Sequence, residues 1–486
     1  MRSAWHNRLG VGHLLAALAA VLPALQMVLY GGQKVGLTPE AHFFPVVLAA
    51  GTAAIVAAGL TVAGVRARDG RAILLGTAFS TTTALLAVHG FATPGVIVGP
   101  NGVIALAGGA SLPVGATLLA LTALPALRQP RRIAPLLGLQ AALAIGILGL
   151  GALALARPSL VPSVPQAGSP PALALLAWGV FCLAVLAHRA IRTHALTQRP
   201  ADLLVVAGCA WLGLSLVAQL VIGPGNVGFY SGHALELGGI AMIGIPTALD
   251  LARIGASRPL VGDLTAVELV AAEEAYLGTR VRSLLVSLAE RDASTEEHTR
   301  RVALLAARVA DELRLPAGVR RDLAVGGLLH DIGKLSVPLD ILQKPGPLTD
   351  QEFAEIRRHP ESGRRLLDEL GGFPDTVKRL VSDHHERLDG TGYPAGLEGV
   401  DLAIETRVLA ACDVYDALVS DRVYRSAWTS ERALALLHEE AGTGFDPRVV
   451  AALERVVTPR EGAPSWVAGL AAPVARSTAR PAVRRA

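Results

Sequence analysis

Charge is what this chain of 486 residues most lacks: Asp, Glu, Lys and Arg together supply 17% of it, against about a quarter in ordinary soluble domains. Hydrophobic residues supply 52%, and the mean hydropathy is +0.46. Such a chain is too apolar to be soluble throughout, and at this length it should hold two or more domains. Cysteine is also scarce. Cys182 and Cys209 fall inside apolar runs and Cys412 sits beside Asp413. With no CxxC and no framework of paired cysteines, a disulfide scaffold is excluded, and the charged part of the chain fits a reducing compartment. No small-residue cleavage site follows the first apolar run, and further runs come after it, so that run is not read as a removable signal peptide. The net charge of +4 does not point to a nucleic-acid polymer as partner. Much of the excess Arg lies in short loops between apolar runs and in the tail after Pro459.

The apolar residues are unevenly placed. Runs of spanning length occupy about 12–30, 43–65, 72–91, 103–127, 133–156, 171–187, 203–222 and 234–251, and charge becomes dense only afterwards. This predicts about eight membrane helices, rich in the small residues that let such helices approach; Pro113 marks a candidate kink or shifted boundary. Alternate loops differ sharply in basic charge. One set holds Arg2, Arg8, Arg66, Arg68, Arg71, Arg128, Arg131, Arg132, Arg189, Arg192, Arg199, Arg253 and Arg258, and the other only Lys34 and Arg157. The positive-inside rule then puts both termini in the cytoplasm. His42, His89 and His233 fall near span ends on the outer side, with Glu236 close to His233. Ionisable residues there are candidates for an outward-facing sensor site, and their plain alternative is interfacial histidines wetted by water.

After the last span, Val267, Val270, Leu277, Val281, Leu284 and Leu288 keep a 3-4 spacing broken by Glu274. This predicts a helical connector over 256–291, continuous from about 263 to 291. It would be either a short parallel homodimer stalk or an amphipathic helix packed on its own domain. Beyond it the chain reads as all-helical, with helical spacing at 300–313, 320–329, 350–359 and 376–385. The tail, 459–486, is rich in Arg, Ala and Pro without an apolar pattern and is expected to be disordered. The predicted fold is therefore all-α: a polytopic membrane region over 1–255, the connector, a soluble domain over 292–458, and the tail.

The soluble domain carries the chemistry. HDIGK stands at 330–334 and HHERLDGTGYP at 384–394. Imidazole and carboxylate are the ligands that divalent first-row metals take in hydrolytic sites, and an Asp beside a His can offer one oxygen to each of two metals. Spacing alone reaches a metallohydrolase. Over 289–457 the chain further resembles the HD-GYP family of metal-dependent phosphohydrolases, because HDIGK, KPGPLT at 344–349, HHERLDGTGYP, DVYDAL at 413–418 and SDRVYR at 420–425 succeed one another in the family's order.

That resemblance implies hydrolysis of cyclic di-GMP to pGpG, and onward to GMP, as the activity. It also implies two divalent metal ions, iron or manganese, as cofactors. By the same resemblance His298, His330, Asp331 and Asp413 would bind one metal. Asp331, His359 and His384 would bind the other, with Asp331 bridging and His385 beside them. Asp331 and Lys334 would be catalytic, with Lys334 near the phosphate. Lys334, Tyr393, Arg422 and Arg425 would contact substrate, although Val423 and Ser426 stand where the family more often has Pro and Lys. Asp389, Gly390, Gly392 and Tyr393 belong to a loop that shapes the site or binds partner proteins containing GGDEF domains, and Asp416 would orient a ligand. A third metal needs a Glu where this chain has Ser294, so two are expected. The whole would be a receptor of the bacterial inner membrane whose membrane half gates the enzyme. Its rivals are a silent module that binds cyclic di-GMP or recruits partners, and a phosphodiesterase for another cyclic dinucleotide.

Overall fold

The computed structural model describes residues 17–458 apart from 37, 123–132, 162–163, 198, 255–264, 293–294, 345 and 422–425. Among the described residues the regular structure is entirely helical, with only isolated bridges of β type, as the all-α reading expects. The chain divides into two compact units, Met1–Leu264 and Thr265–Ala486. The disorder expected over 459–486, together with Ser294, Arg422 and Arg425, lies outside the described residues.

The first unit contains α1 (Ala17–Tyr30), α2 (Pro39–Ala67), α3 (Gly70–Phe91), α4 (Val103–Leu121), α5 (Ile133–Ala156), α6 (Pro170–Thr197), α7 (Pro200–Val217) and α8 (Val227–Ile254). Seven of these, α2 to α8, are long and apolar enough to cross a membrane; α1 is apolar but shorter. Local chemistry sets several starts. Thr38 precedes Pro39, which suits the first turn because its missing N–H has no helical partner there. The Asp69 carboxylate accepts from the amides of Arg71 and Ala72 and opens α3. Pro113 is accommodated inside α4. The bundle buries Leu60, Leu75, Leu86, Leu186, Leu216, Ile240 and Ile243, while α5 turns Ile145 (71% exposed) and Leu150 (69%) outward. An outer surface this apolar is suited to lipid.

The second unit contains α9 (Ala266–Tyr276), α10 (Thr279–Arg291), α11 (Thr295–Glu312), α12 (Ala317–Leu329), α13 (Leu339–Leu342), α14 (Asp350–Ile356), α15 (His359–Leu370), α16 (Asp375–Asp383), α17 (Ile404–Val419), α18 (Ser430–Glu439) and α19 (Pro447–Val457). Here the continuous connector helix is corrected. A helix starts at a Thr265–Glu268 capping box, breaks at Leu277–Gly278, and restarts as α10. The 3-4 spacing runs through the break without registering it. In α9 the buried residues include Leu269, Val270 and Ala272, and the helix packs towards α11 and α12, while Val267 is 47% exposed. The segment thus packs on its own unit. The core forms around α11, whose Val302, Ala306, Val309 and Ala310 are fully buried against α12, α17 and α19. Each larger apolar side chain buried there contributes about 1.5–3 kcal/mol.

Candidate metal centre

The residues singled out from sequence come from the ends and turns of several elements. His298 lies in the first turns of α11, His330 caps the C-terminus of α12, and Asp331 opens the 3₁₀ turn Ile332–Ser336 that contains Lys334. His359 is the first residue of α15, His384 caps α16 with His385 next, and Asp413 and Asp416 lie in α17. Gly333 makes one of these junctions possible. A Cβ there would overlap the His359 carbonyl oxygen, so only glycine lets the turn after Asp331 lie against the start of α15.

One local device sets the imidazoles. Nδ1 of His330, His359 and His384 donates to the carbonyl oxygen three residues earlier, on Gly327 (2.9 Å), Ile356 (2.8 Å) and Val381 (2.9 Å) respectively. A carbonyl can only accept, so Nδ1 carries the proton and Nε2 presents a lone pair. His298 is held in the same sense by the Asp416 carboxylate, 2.7 Å from Nδ1. Asp416 is fixed in turn by the Arg301 guanidinium at 2.8 and 3.0 Å. This is the outer-shell support that metal-binding histidines characteristically have.

The inward-facing atoms converge. His298 Nε2 lies 3.0 Å from Asp413 Oδ1 and 4.0 Å from Asp331 Oδ2. His330 Nε2 is 3.6 Å from Asp331 Oδ2 and 3.7 Å from Asp413 Oδ1; it is buried without a hydrogen-bond partner. His359 Nε2 is 3.4 Å from the other Asp331 oxygen, Oδ1, and 3.2 Å from His384 Nε2. Donor groups compact enough for one ion are His298–His330–Asp413, His330–Asp331–His384 and His359–His384–His385. Asp331 thus turns one oxygen towards each side of the cluster. The Lys334 ammonium is 2.7 Å from Asp331 Oδ2, so it meets the candidate bridging carboxylate directly.

The electrostatics ask for cations. Burial alone would raise the Asp331 carboxyl, but Lys334 and the surrounding histidines more than offset it and hold it well below the usual range. Asp413 is likewise depressed: burial opposes this, and the hydrogen bond from His298 together with the nearby His330 outweighs it. Burial pushes His359 down to about 4, and pushes His384 and His385 below the ordinary value. His298 moves the other way, to about 9, because the hydrogen bonds to Asp413 and Asp416 exceed the cost of burial. Buried carboxylates beside clustered imidazoles, with His330 Nε2 left without a hydrogen-bond partner, are a donor set that divalent metals fit.

The loop after His385 closes over one side. Tyr393 lies against the His385 ring, centroids 4.8 Å apart, with the Arg357 guanidinium 4.5 Å from its own ring centroid. Asp389 is exposed and accepts from the Thr391 amide and hydroxyl, and Gly390 adopts φ 72°; these two shape the loop and lie apart from the ligand atoms. Sequence reasoning missed three participants: Glu386, Arg301 and Arg357. The buried Glu386 carboxylate accepts from the amides of Ala395 (2.6 Å), Gly396 (3.1 Å) and Leu397 (3.1 Å), tying the loop down. An acid directly after the two candidate ligand histidines was the one available signal. Glu296 and Glu297, the acids near Ser294, are exposed.

Residues 283–449 match a family model described as HD domain. A cyclic di-GMP phosphodiesterase of Pseudomonas aeruginosa is 43% identical over 173 residues, covering 36% of this chain and 42% of that one. The cyclic di-GMP phosphodiesterase response regulator RpfG of Xanthomonas campestris pv. campestris is 42% identical over 166 residues, covering 34% and 44%. The 3'3'-cGAMP-specific phosphodiesterase 3 of Vibrio cholerae is 36% identical over 185 residues, covering 38% and 40%. The match spans less than half the length of each of these relatives. By the domain matched, the order of its motifs and these likenesses, residues 283–449 carry an HD domain of HD-GYP type.

Proposed function

We propose that the C-terminal unit hydrolyses cyclic di-GMP to pGpG, and onward to GMP, with two divalent ions, iron or manganese. The observation that carries this reading is the pair of donor groups on either side of Asp331, one holding His298, His330 and Asp413 and the other His359, His384 and His385. Two ions held there would offset phosphate charge and lower the pKa of water. The protein's own contribution is orientation. Nδ1 contacts fix His298, His330, His359 and His384, and Asp331 faces both groups. Lys334, held at Asp331 and partly open to solvent, is positioned to meet a phosphate oxygen. In the reaction an oxygen of water joins phosphorus, the bond to the 3′ oxygen breaks, and that oxygen takes up a proton. Tyr393 walls the site, and Arg422 and Arg425 would contact the phosphates or guanine edges. The loop with Asp389, Gly390 and Gly392 would offer a surface to GGDEF-domain partners.

The apolar helices and the arginine asymmetry support placement in a bacterial inner membrane with both termini cytoplasmic, and a membrane half of this size suits gating as well as anchoring. A second reading, hydrolysis of a different cyclic dinucleotide, is favoured by the cGAMP-specific relatives in Vibrio cholerae. The test is turnover by purified full-length protein in detergent, stripped of metal and then given Mn²⁺ or Fe²⁺. Cyclic di-GMP, 3′3′-cGAMP and cyclic di-AMP are offered in parallel. Preferential loss of cyclic di-GMP supports the proposal, preference for another dinucleotide selects the second reading, and binding without turnover of any of them overturns both.

A further inference from the structure

The membrane half contains a second cluster built on the same plan as the metal centre. His42 near the start of α2, His89 near the end of α3 and His233 near the start of α8 meet inside the bundle, although His42 and His233 are far apart in sequence. Their ring centroids lie 5.0 Å (42–89), 4.8 Å (42–233) and 5.7 Å (89–233) apart, and one ring nitrogen from each falls within 4.8 Å of the others. All three are buried. His89 Nδ1 donates to the Ile104 carbonyl at 2.7 Å, so its Nε2 is a lone pair. His233 Nδ1 faces a Glu236 oxygen at 3.4 Å. Glu236 is itself fully buried and steadied by Ser111 Oγ at 3.3 Å and Gln219 Nε2 at 3.1 Å.

Hydrogen bonding within the trio cannot satisfy it. His42 Nε2 and His89 Nε2 are 3.0 Å apart, and a proton on His42 Nε2 would make one bond. That leaves His42 Nδ1 and His233 Nε2, both buried without partners, and buried polar atoms in that state are costly. Packing shows that the arrangement is built in. A Cβ on Gly108 would lie 2.6 Å from His89 Nδ1, so α4 can come close enough for Ile104 to fix that ring only because this residue is glycine. Phe229 stacks on His42 at 5.8 Å and covers one side.

We propose that His42, His89 and His233 form a metal site in the membrane half, taking a single Zn²⁺ or copper ion through one ring nitrogen of each, with Glu236 orienting His233. Imidazole donors with no carboxylate among them suit these late first-row ions and not Mg²⁺ or Ca²⁺, which want oxygen. Three protein ligands leave a coordination position for water or a small molecule, and the buried Glu236 carboxylate offsets part of the ion's charge.

Full-length protein in detergent, stripped with a chelator, is titrated with Zn²⁺ alone, and bound zinc is counted per chain. The unaltered protein should hold one equivalent more than His89→Gln or His233→Gln. Glu236→Gln should keep that equivalent with affinity lowered about 10–100-fold, the usual effect of losing an outer-shell partner. Equal zinc in the unaltered protein and in folded histidine variants overturns the proposal. If those variants do not fold, the unaltered protein decides. Cu²⁺ with ascorbate oxidises the imidazoles that hold copper, and mass spectrometry locates them. Oxidation at His42, His89 and His233, suppressed by prior Zn²⁺, is the expected result; oxidation confined to the C-terminal unit overturns it.

Discussion

Glu386→Gln should loosen the loop over the metal centre without removing a metal ligand. In the native protein one carboxylate accepts three backbone N–H groups, with Ala395 and Gly396 on Oε1 and Leu397 on Oε2. A glutamine has one oxygen, so at least one of these amides must face an NH₂ group, and the remaining bonds lose their charge assistance. An unsatisfied donor costs about 1–3 kcal/mol and a downgraded bond about 1 kcal/mol. Ala395 and Gly396 are exposed residues, so water offsets part of this, and the net loss should be about 2 kcal/mol, or roughly 30-fold in the population of the opened loop. Hydrogen exchange at the amides of residues 395–397 should accelerate by that factor. Turnover should fall about 10–100-fold as Tyr393 loses its fixed place against His385, while bound metal stays constant. Unchanged protection at those amides would refute the reasoning. So would loss of metal with protection intact, because Glu386 would then be acting through His384 and His385.

Asp331→Ala should abolish turnover and lower metal content, because this carboxylate faces donors on both sides of the centre; near-normal hydrolysis with full metal contradicts a dinuclear site. The C-terminal centre should load with close to two metals, since Ser294 replaces the Glu that a third would need; with the membrane site suppressed by His89→Gln, elemental analysis near three would show another residue supplying that ligand. For topology, a reporter active only in the cytoplasm should work when fused after Arg132 or Arg199 and be silent near Pro165, and the reverse pattern overturns the orientation.

Part of this protein is legible residue by residue. Membrane-spanning length is a property of contiguous apolar sequence, so the runs at 43–65 through 234–251 correspond to α2 to α8. The ligand types were equally visible, because HDIGK and HHERLDGTGYP place imidazole and carboxylate side by side in the chain. The device that aims His330, His359 and His384, a hydrogen bond to the carbonyl three residues before each, is also local, though it emerges only once the helix ends are known.

Composition, span length and the residue types of the candidate ligands are therefore readable along the chain. Packing sets the rest, because the deciding contacts join residues distant in sequence. The 3-4 spacing through 267–288 could not reveal the break at Leu277–Gly278, since apolar periodicity reports which side is buried and not whether one helix or two supply it. Glu386 became a loop anchor only when residues 395–397 folded back onto it. His42, His89 and His233 were visible as histidines at span ends, but a shared site depends on three helices packing with those ends together. Gly108 then brings α4 close enough to fix one ring. Patterns along the chain carry no term for such packing, and only the folded bundle supplies it.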